Sequence, residues 1–196
     1  MVVFTIIRKF NKVSQKALIL RATKIINLIN TPLALKILLL SDSHGFIDEK
    51  ILNYCKDADE VWHAGDIGSL EVTNRIQEVS LLRAVYGNID DKDIRSEFPL
   101  DNKFMAENVG VWMTHIGGYP YRYNSRIKES LSLRPPKLFI SGHSHILKVQ
   151  YDKKLKLLHM NPGAMGNHGF HKVKTMLRFE IDKTDIRKLE IIEIKR

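Results

Sequence analysis

The chain has 196 residues, 44% hydrophobic and 27% charged, a balance that excludes a disordered or membrane-embedded protein and suits one α/β domain. Its single cysteine, Cys55, excludes an internal disulfide and a cysteine-built zinc site, and favours a reducing, cytoplasmic setting. The formal net charge of +9 is unevenly placed: residues 1–35 carry six basic residues and no acid, so Lys36 onward keeps only +3 and nucleic acid is not expected as the partner.

Residues 1–34 form a basic, Ile/Leu/Lys-rich arm that changes character near Pro32. Arg21, Lys24 and Pro32 interrupt its one long apolar region, so no transmembrane segment is expected, and no small-residue cleavage site marks a secretory signal. The domain reads naturally from Leu35, and the arm is expected to be a non-essential appendage of the kind a mis-assigned start leaves. Residues 35–196 are then the functional domain.

Lys36–Ser41 is a continuous apolar run with the pattern of a buried strand. Phe46–Lys56 has helical spacing, Glu60–His63 is a short strand, and Ser69–Val79 reads as a helix with Ser69 at its N-cap and Glu71 in its first turn. Leu81–Tyr86 is a third strand. Lys103–Glu107 and Gly110–Thr114 read as neighbouring strands around a turn at Asn108-Val109. A helix around Ser125–Leu131 leads to the Pro135-Pro136 break and a strand at Leu138–Ser141. Leu147–Tyr151, Leu155–His159, Thr175–Ile181 and Leu189–Ile194 are strand-like. Strand–helix alternation followed by a strand-rich half implies an α/β fold of two packed sheets with helices on the outer faces.

The chemistry-bearing residues fall just after those strands. Asp42-Ser43-His44, Gly65-Asp66, Gly87-Asn88, Thr114-His115 and Gly142-His143-Ser144-His145 each follow one. The carboxyl ends of strands form the ligand crevice of an α/β sheet, so five such loops are expected to converge. Singly, each has an ordinary reading as turn chemistry, a surface histidine or a packed one. Jointly, two aspartates, four histidines and an asparagine offer mixed oxygen and nitrogen ligands without sulfur, suited to manganese, iron, zinc or similar ions. Seven ligands exceed one ordinary zinc site and suit two ions sharing a carboxylate.

This series resembles the calcineurin-like metallophosphoesterases, and Asn161-Pro162-Gly163 resembles their smaller prokaryotic phosphodiesterase branch. The resemblance covers Lys36–Arg196 and implies a four-layer α/β/β/α sandwich of two mixed sheets. It implies two divalent ions, manganese first with zinc, iron or nickel as alternatives. Asp42, His44 and His145 would bind one; Asn88, His115 and His143 the other; Asp66 would bridge them. Asn88 would also touch substrate. The implied activity is hydrolysis of a small phosphate ester, foremost a phosphodiester, by in-line attack of a hydroxide held between the ions. A homo-oligomer is left open.

Two positions depart from the family pattern. Gly87-Asn88-Ile89-Asp90 has Ile89 where many members carry a general-acid histidine, so water or another group must protonate the leaving group; His63 and Asp90 are nearby, though loop-capping roles suit both better. The usual Thr-His-Gly-His reads Thr114-His115-Ile116-Gly117-Gly118, followed by aromatic residues and Arg122, which reads as an exposed loop arginine. His159, His168 and His171 read as loop histidines, with His168 and His171 able to rim the cleft. The rival readings are a protein-binding scaffold like the retromer subunit that shares this fold, and a nuclease.

Overall fold

Leu35–Leu40 forms strand β1 of the computed structural model, which describes residues 34–169 and 172–196. The expectation for the basic arm falls on residues outside those described, as does His171. In β1, Ile37 and Leu39 face one way and Leu38 and Leu40 the other, and all four are buried. Alternation along a strand puts successive side chains on opposite faces, so an unbroken apolar run means that both faces are covered.

β2 (Glu60–His63) and β3 (Leu81–Ala84) extend β1 in parallel, whereas β11 (Val173–Asp182) and β12 (Asp185–Lys195) add antiparallel strands on its other side. The sheet order is β12-β11-β1-β2-β3. A second mixed sheet contains β4 (Asp101–Ala106), β5 (Val109–Thr114), β8 (Leu138–Ile140), β9 (Leu147–Asp152) and β10 (Leu157–Pro162), in the order β4-β5-β8-β10-β9. Here β5, β8 and β10 are the parallel strands. Two short strands, β6 (Gly118–Tyr119) and β7 (Arg122–Tyr123), pair as a separate ribbon.

The sheets bury one core between them: Ile37, Leu39, Trp62 and Phe179 from the first meet Val111, Met113, Leu138 and Ile140 from the second. Trp62 packs edge-to-face against Phe104 and Phe179, and its Nε1–H donates to Glu60. Helices α1 (Glu49–Lys56), α2 (Leu70–Gln77) and α3 (Lys92–Glu97) bury Ile51, Ile76 and Ile94 against the other face of the first sheet. Helix α4 (Ser125–Leu133) places Ile127 and Leu131 against Trp112, Phe139 and Leu157 of the second. The result is the expected α/β/β/α arrangement.

Local chemistry accounts for the differences in element bounds. The first helix starts at Glu49 rather than Phe46 because Asp48, in extended backbone, accepts the Ile51 N–H as its N-cap. Ser69 caps α2 as expected, accepting from Glu71 N–H. Helix α3 was not anticipated: six residues with one buried side chain, Ile94, leave no hydrophobic period to read, and the Asp91 cap is its local signal. The turn between β4 and β5 falls one residue early, with Glu107 at φ 50°. β10 starts two residues late because Asp152 accepts the N–H groups of Lys154 and Leu155, closing a turn before Leu157.

Phe179 is fully buried at the centre of the inter-sheet core. Phe179→Ala is expected to cost about 3–5 kcal/mol of stability. Urea unfolding of the two proteins measures it, and a cost below about 1 kcal/mol would contradict this packing.

Candidate metal centre

Five of the predicted site residues share an unusual backbone. Asp42, His44, Asp66, His143 and His145 have φ of 54°, 48°, 53°, 68° and 56°. Non-glycine residues rarely occupy the left-handed region, and such strain persists only where the surroundings over-determine it. Backbone hydrogen bonds supply that determination. Asp42 N–H donates to Gly65 O, His44 N–H to Asp66 O and Gly142 N–H to His115 O, so the loop after β1 is tied to that after β2, and the loop after β5 to that after β8. Gly87 is held closer still: a Cβ there would lie 2.0 Å from Asp66 Oδ1 and 2.4 Å from its N atom, which makes glycine obligatory.

The side chains converge in two groups. The first contains Asp42, His44 and His145, the second Asp66, His115 and His143, and within each the donor atoms lie within 4.8 Å of one another. Asp66 reaches both, with Oδ2 3.8 Å from His44 Nε2 and Oδ1 3.1 Å from His115 Nε2. His145 Nε2 lies 3.2 Å from Asp42 Oδ1 and 3.3 Å from His44 Nε2.

Two of these atoms are buried yet take no hydrogen bond among the described residues: Asp42 Oδ1 and His115 Nε2. Buried polar atoms are nearly always paired, and close approach without hydrogen-bond geometry suits donors directed at a common ion. The other end of each side chain is fixed. Asp42 Oδ2 accepts from Ser41 Oγ and from His143 N–H, and His115 Nδ1 lies 2.8 Å from Ala64 O. Donation from Nδ1–H to that carbonyl leaves the Nε2 lone pair facing the cluster. The residues therefore fit divalent ions.

Electrostatics agree. Burial opposes charge on Asp66, but the His115 ring and the Ile89 N–H outweigh it and hold the carboxyl below its ordinary range. Burial likewise opposes charge on His115, but the Asp66 and Asp42 carboxylates raise its pKa overall. Asp42 raises that of His145 against the effect of burial, whereas burial lowers that of His44. Negative charge thus accumulates where cations would sit.

The remaining sequence candidates separate into frame and rim. Asp90 is buried and accepts from the N–H groups of Ile67, Gly68 and Gly87, tying the loop after β2 to that after β3. His63 is buried too, with Nε2 on Ser43 Oγ and Nδ1 accepting from Gly65 N–H; desolvation lowers its pKa and keeps it neutral. Both are capping groups. Asn88 is exposed, lines a cavity beside His115, and its carbonyl accepts from Arg95. Ile89 has lost the acid but keeps a backbone task, because its N–H donates to Asp66 Oδ1. His168 packs over the His44 ring at 4.7 Å, at the rim where it was expected. Sequence reasoning missed Ser41 and Arg95 as supports; Ser41 is a small residue at a strand end, and Arg95 sits in the unanticipated α3. It also missed Lys148.

The profile of the calcineurin-like phosphoesterase superfamily domain matches residues 35–184. The chain belongs to that superfamily. A probable metallophosphoesterase of Methanothermobacter thermautotrophicus is 25% identical over 130 residues, spanning 64% of this chain and 74% of that protein. Among solved structures, Vps29 of Entamoeba histolytica complexed with Zn2+ shares the fold at a TM-score of 0.63 and 14% identity, covering 82% of this chain and 98% of its own. A novel archaeal phosphodiesterase matches at 0.61 and 21%, covering 81% and 99%. The superfamily fold thus accompanies both a phosphodiesterase and Vps29. None of the described helices is long and apolar enough to cross a membrane.

His159, read from the sequence as a solvated loop histidine, is instead buried within β10 of the second sheet, and desolvation followed by the nearby Lys148 lowers its pKa from 6.5 to about 4. Between those values the unfolded chain binds a proton that the folded chain refuses, so stability is present above about pH 6.5 and is lost as pH falls toward 4. The loss from this group is about 3 kcal/mol. Unfolding of the chelator-treated protein across that range should show a steeper fall than His159→Gln; equal slopes would contradict the buried neutral ring.

Proposed function

We propose that this superfamily member is a dinuclear metal-dependent phosphodiesterase. Asp42, His44 and His145 hold one ion, Asn88, His115 and His143 the other, and Asp66 lies between them. The observation that carries the reading is the pair of three-donor groups joined through the two oxygens of Asp66, with Asp42 Oδ1 and His115 Nε2 buried without a hydrogen bond among the described residues. The activity in the names of the metallophosphoesterase and archaeal phosphodiesterase relatives supports it.

Two divalent ions, when bound, supply an activated water and neutralise charge on the phosphoryl oxygens. The chain's own residues do the rest. The left-handed loops hold the donors rigidly, which keeps reorganisation small as charge develops. Exposed Asn88 completes the second set and contacts the phosphate. With Ile89 in place of an acid, the alcohol product takes its proton from water, so esters with good leaving groups react best. The small net positive charge outside residues 1–35 suits a small anionic ester better than DNA. The buried thiol Cys55 suits a cytoplasmic setting.

The similarity to Vps29 keeps a second reading in view, a protein-binding scaffold of the same fold. Metal analysis combined with turnover of bis(4-nitrophenyl) phosphate separates the two. Manganese-loaded protein is expected to hydrolyse the diester, and chelation to abolish the rate. Full metal occupancy without turnover would favour the scaffold.

Asp66→Asn weakens the shared carboxylate. It is expected to lower the affinity for both ions and to cut diester turnover about a hundredfold or more. A variant that stays fully metallated and fully active would remove Asp66 from its proposed place.

A further inference from the structure

Two cavities of about 330 Å3 each open beside the donor groups. Ile116 and Asn124 line both, so they adjoin. One is bordered by Asn88 and His115, the other by His143. A phosphodiester carries two ester arms, and the cavities differ in what they offer an arm.

The cavity beside Asn88 contains Arg95 and Arg126, but both are engaged. Arg126 forms a bidentate pair with Asp101 and also donates to Thr114 Oγ1, while Arg95 donates to the carbonyls of Asp90 and Asn88 and stacks on Tyr86. The cavity beside His143 contains Arg122 and Lys148, and no carboxylate lines it. Neither cation has an acidic partner within ion-pair distance among the described residues. Lys148 Nζ lies over a ring instead, 4.1 Å from the centroid of Tyr119. Tyr119 and Arg122 face each other across the β6–β7 ribbon, which follows directly on Gly117, the position of the second histidine in the family pattern.

A second, independent observation lies deeper in the same cavity. His159 lines it and is 1% exposed. Its Nε2 meets Ser141 Oγ at 3.0 Å, and that hydroxyl donates to Gly118 O, so the ring proton sits on Nε2. Nδ1 is then a bare acceptor, buried without a partner among the described residues. An unpaired buried acceptor is costly unless a ligand or water donates to it.

We propose that the cavity lined by Tyr119, Arg122, Lys148 and His159 is the leaving-group subsite and selects an arm that carries its own negative charge, such as a second phosphate or a sulfonate. This deepens the phosphodiesterase reading and rests on it. Water adds to phosphorus, the P–O bond to that arm breaks, and the arm departs as an alcohol with a proton from the water. Arg122 and Lys148 hold the remote anion, Tyr119 covers a planar portion, and the buried His159 ring backs the cavity.

Two diesters of equal shape and opposite remote charge test the idea: methyl 4-sulfophenyl phosphate and methyl 4-(trimethylammonio)phenyl phosphate. Manganese-loaded protein at low salt is expected to favour the sulfonate by about tenfold in kcat/KM. In Arg122→Ala/Lys148→Ala that ratio should fall to near one, and Arg122→Lys should retain most of it. A ratio cancels any shared loss of fold or metal, which would slow both esters alike. A ratio near one in the unaltered protein, or one that survives the double substitution, overturns the subsite. If neither ester turns over at full metal occupancy, the hydrolase reading fails instead. Equilibrium binding of 4-hydroxybenzenesulfonate then decides the cavity alone: weakening of about tenfold in the double variant supports it, and equal affinity overturns it.

Discussion

Everything at the centre of this molecule depends on bringing carboxylates and imidazoles closer together than they would stay unaided. Asp66 touches both donor groups, and Asp42 lies beside His145 while its buried Oδ1 lacks a hydrogen bond. Two carboxylates this close repel each other unless cationic rings or ions intervene. The backbone holds them through left-handed residues on three loops, laced by hydrogen bonds between loops. Strain of this kind needs a stiff support, and the inter-sheet core around Trp62 and Phe179 provides it.

Both sheets contribute because both are mixed. The parallel strands β1, β2 and β3 deliver Asp42, His44, Asp66 and Asn88, whereas β5 and β8 deliver His115, His143 and His145. The third parallel strand of the second sheet, β10, carries Asn161 next to its end, and the Asn161 amide donates to Gly142 O and Ser144 Oγ and steadies the histidine loop. The antiparallel strands lie on the flanks and carry no donor. Chemistry is therefore confined to the strand ends where the two sheets meet.

The two departures from the family pattern act on the rim rather than on the donors. Ile89 removes a side-chain acid but still anchors Asp66 through its N–H, so the loop geometry is retained. After His115 the chain turns into the β6–β7 ribbon and places Tyr119 and Arg122 beside Lys148. Specificity can change this way at little cost to the cluster, because the altered residues lie where substrate arms would rest.

By itself, the amino-acid sequence determined much of the fold and pointed to the proposed donor set. Asp-x-His, Gly-Asp, Gly-Asn, His and Gly-His-x-His announce themselves because each follows a strand whose apolar run is readable, and Ser69 marks its helix start through cap chemistry that acts within two residues. What lay beyond local pattern was decided by tertiary structure. Helix α3 has too few buried side chains to show a period, yet its Arg95 clamps the Asn88 loop. Asp90 and Ala64 also act through partners 22 and 51 residues away, Gly68 and His115, and nothing in the sequence names those partners. Lys148 comes to Tyr119 and Arg122 only when β9 packs beside the ribbon, so the charge of that cavity is a property of the folded chain. Local hydrogen bonding and periodicity are written in neighbouring residues, whereas the pairing of distant charges exists only once the sheets have closed on each other.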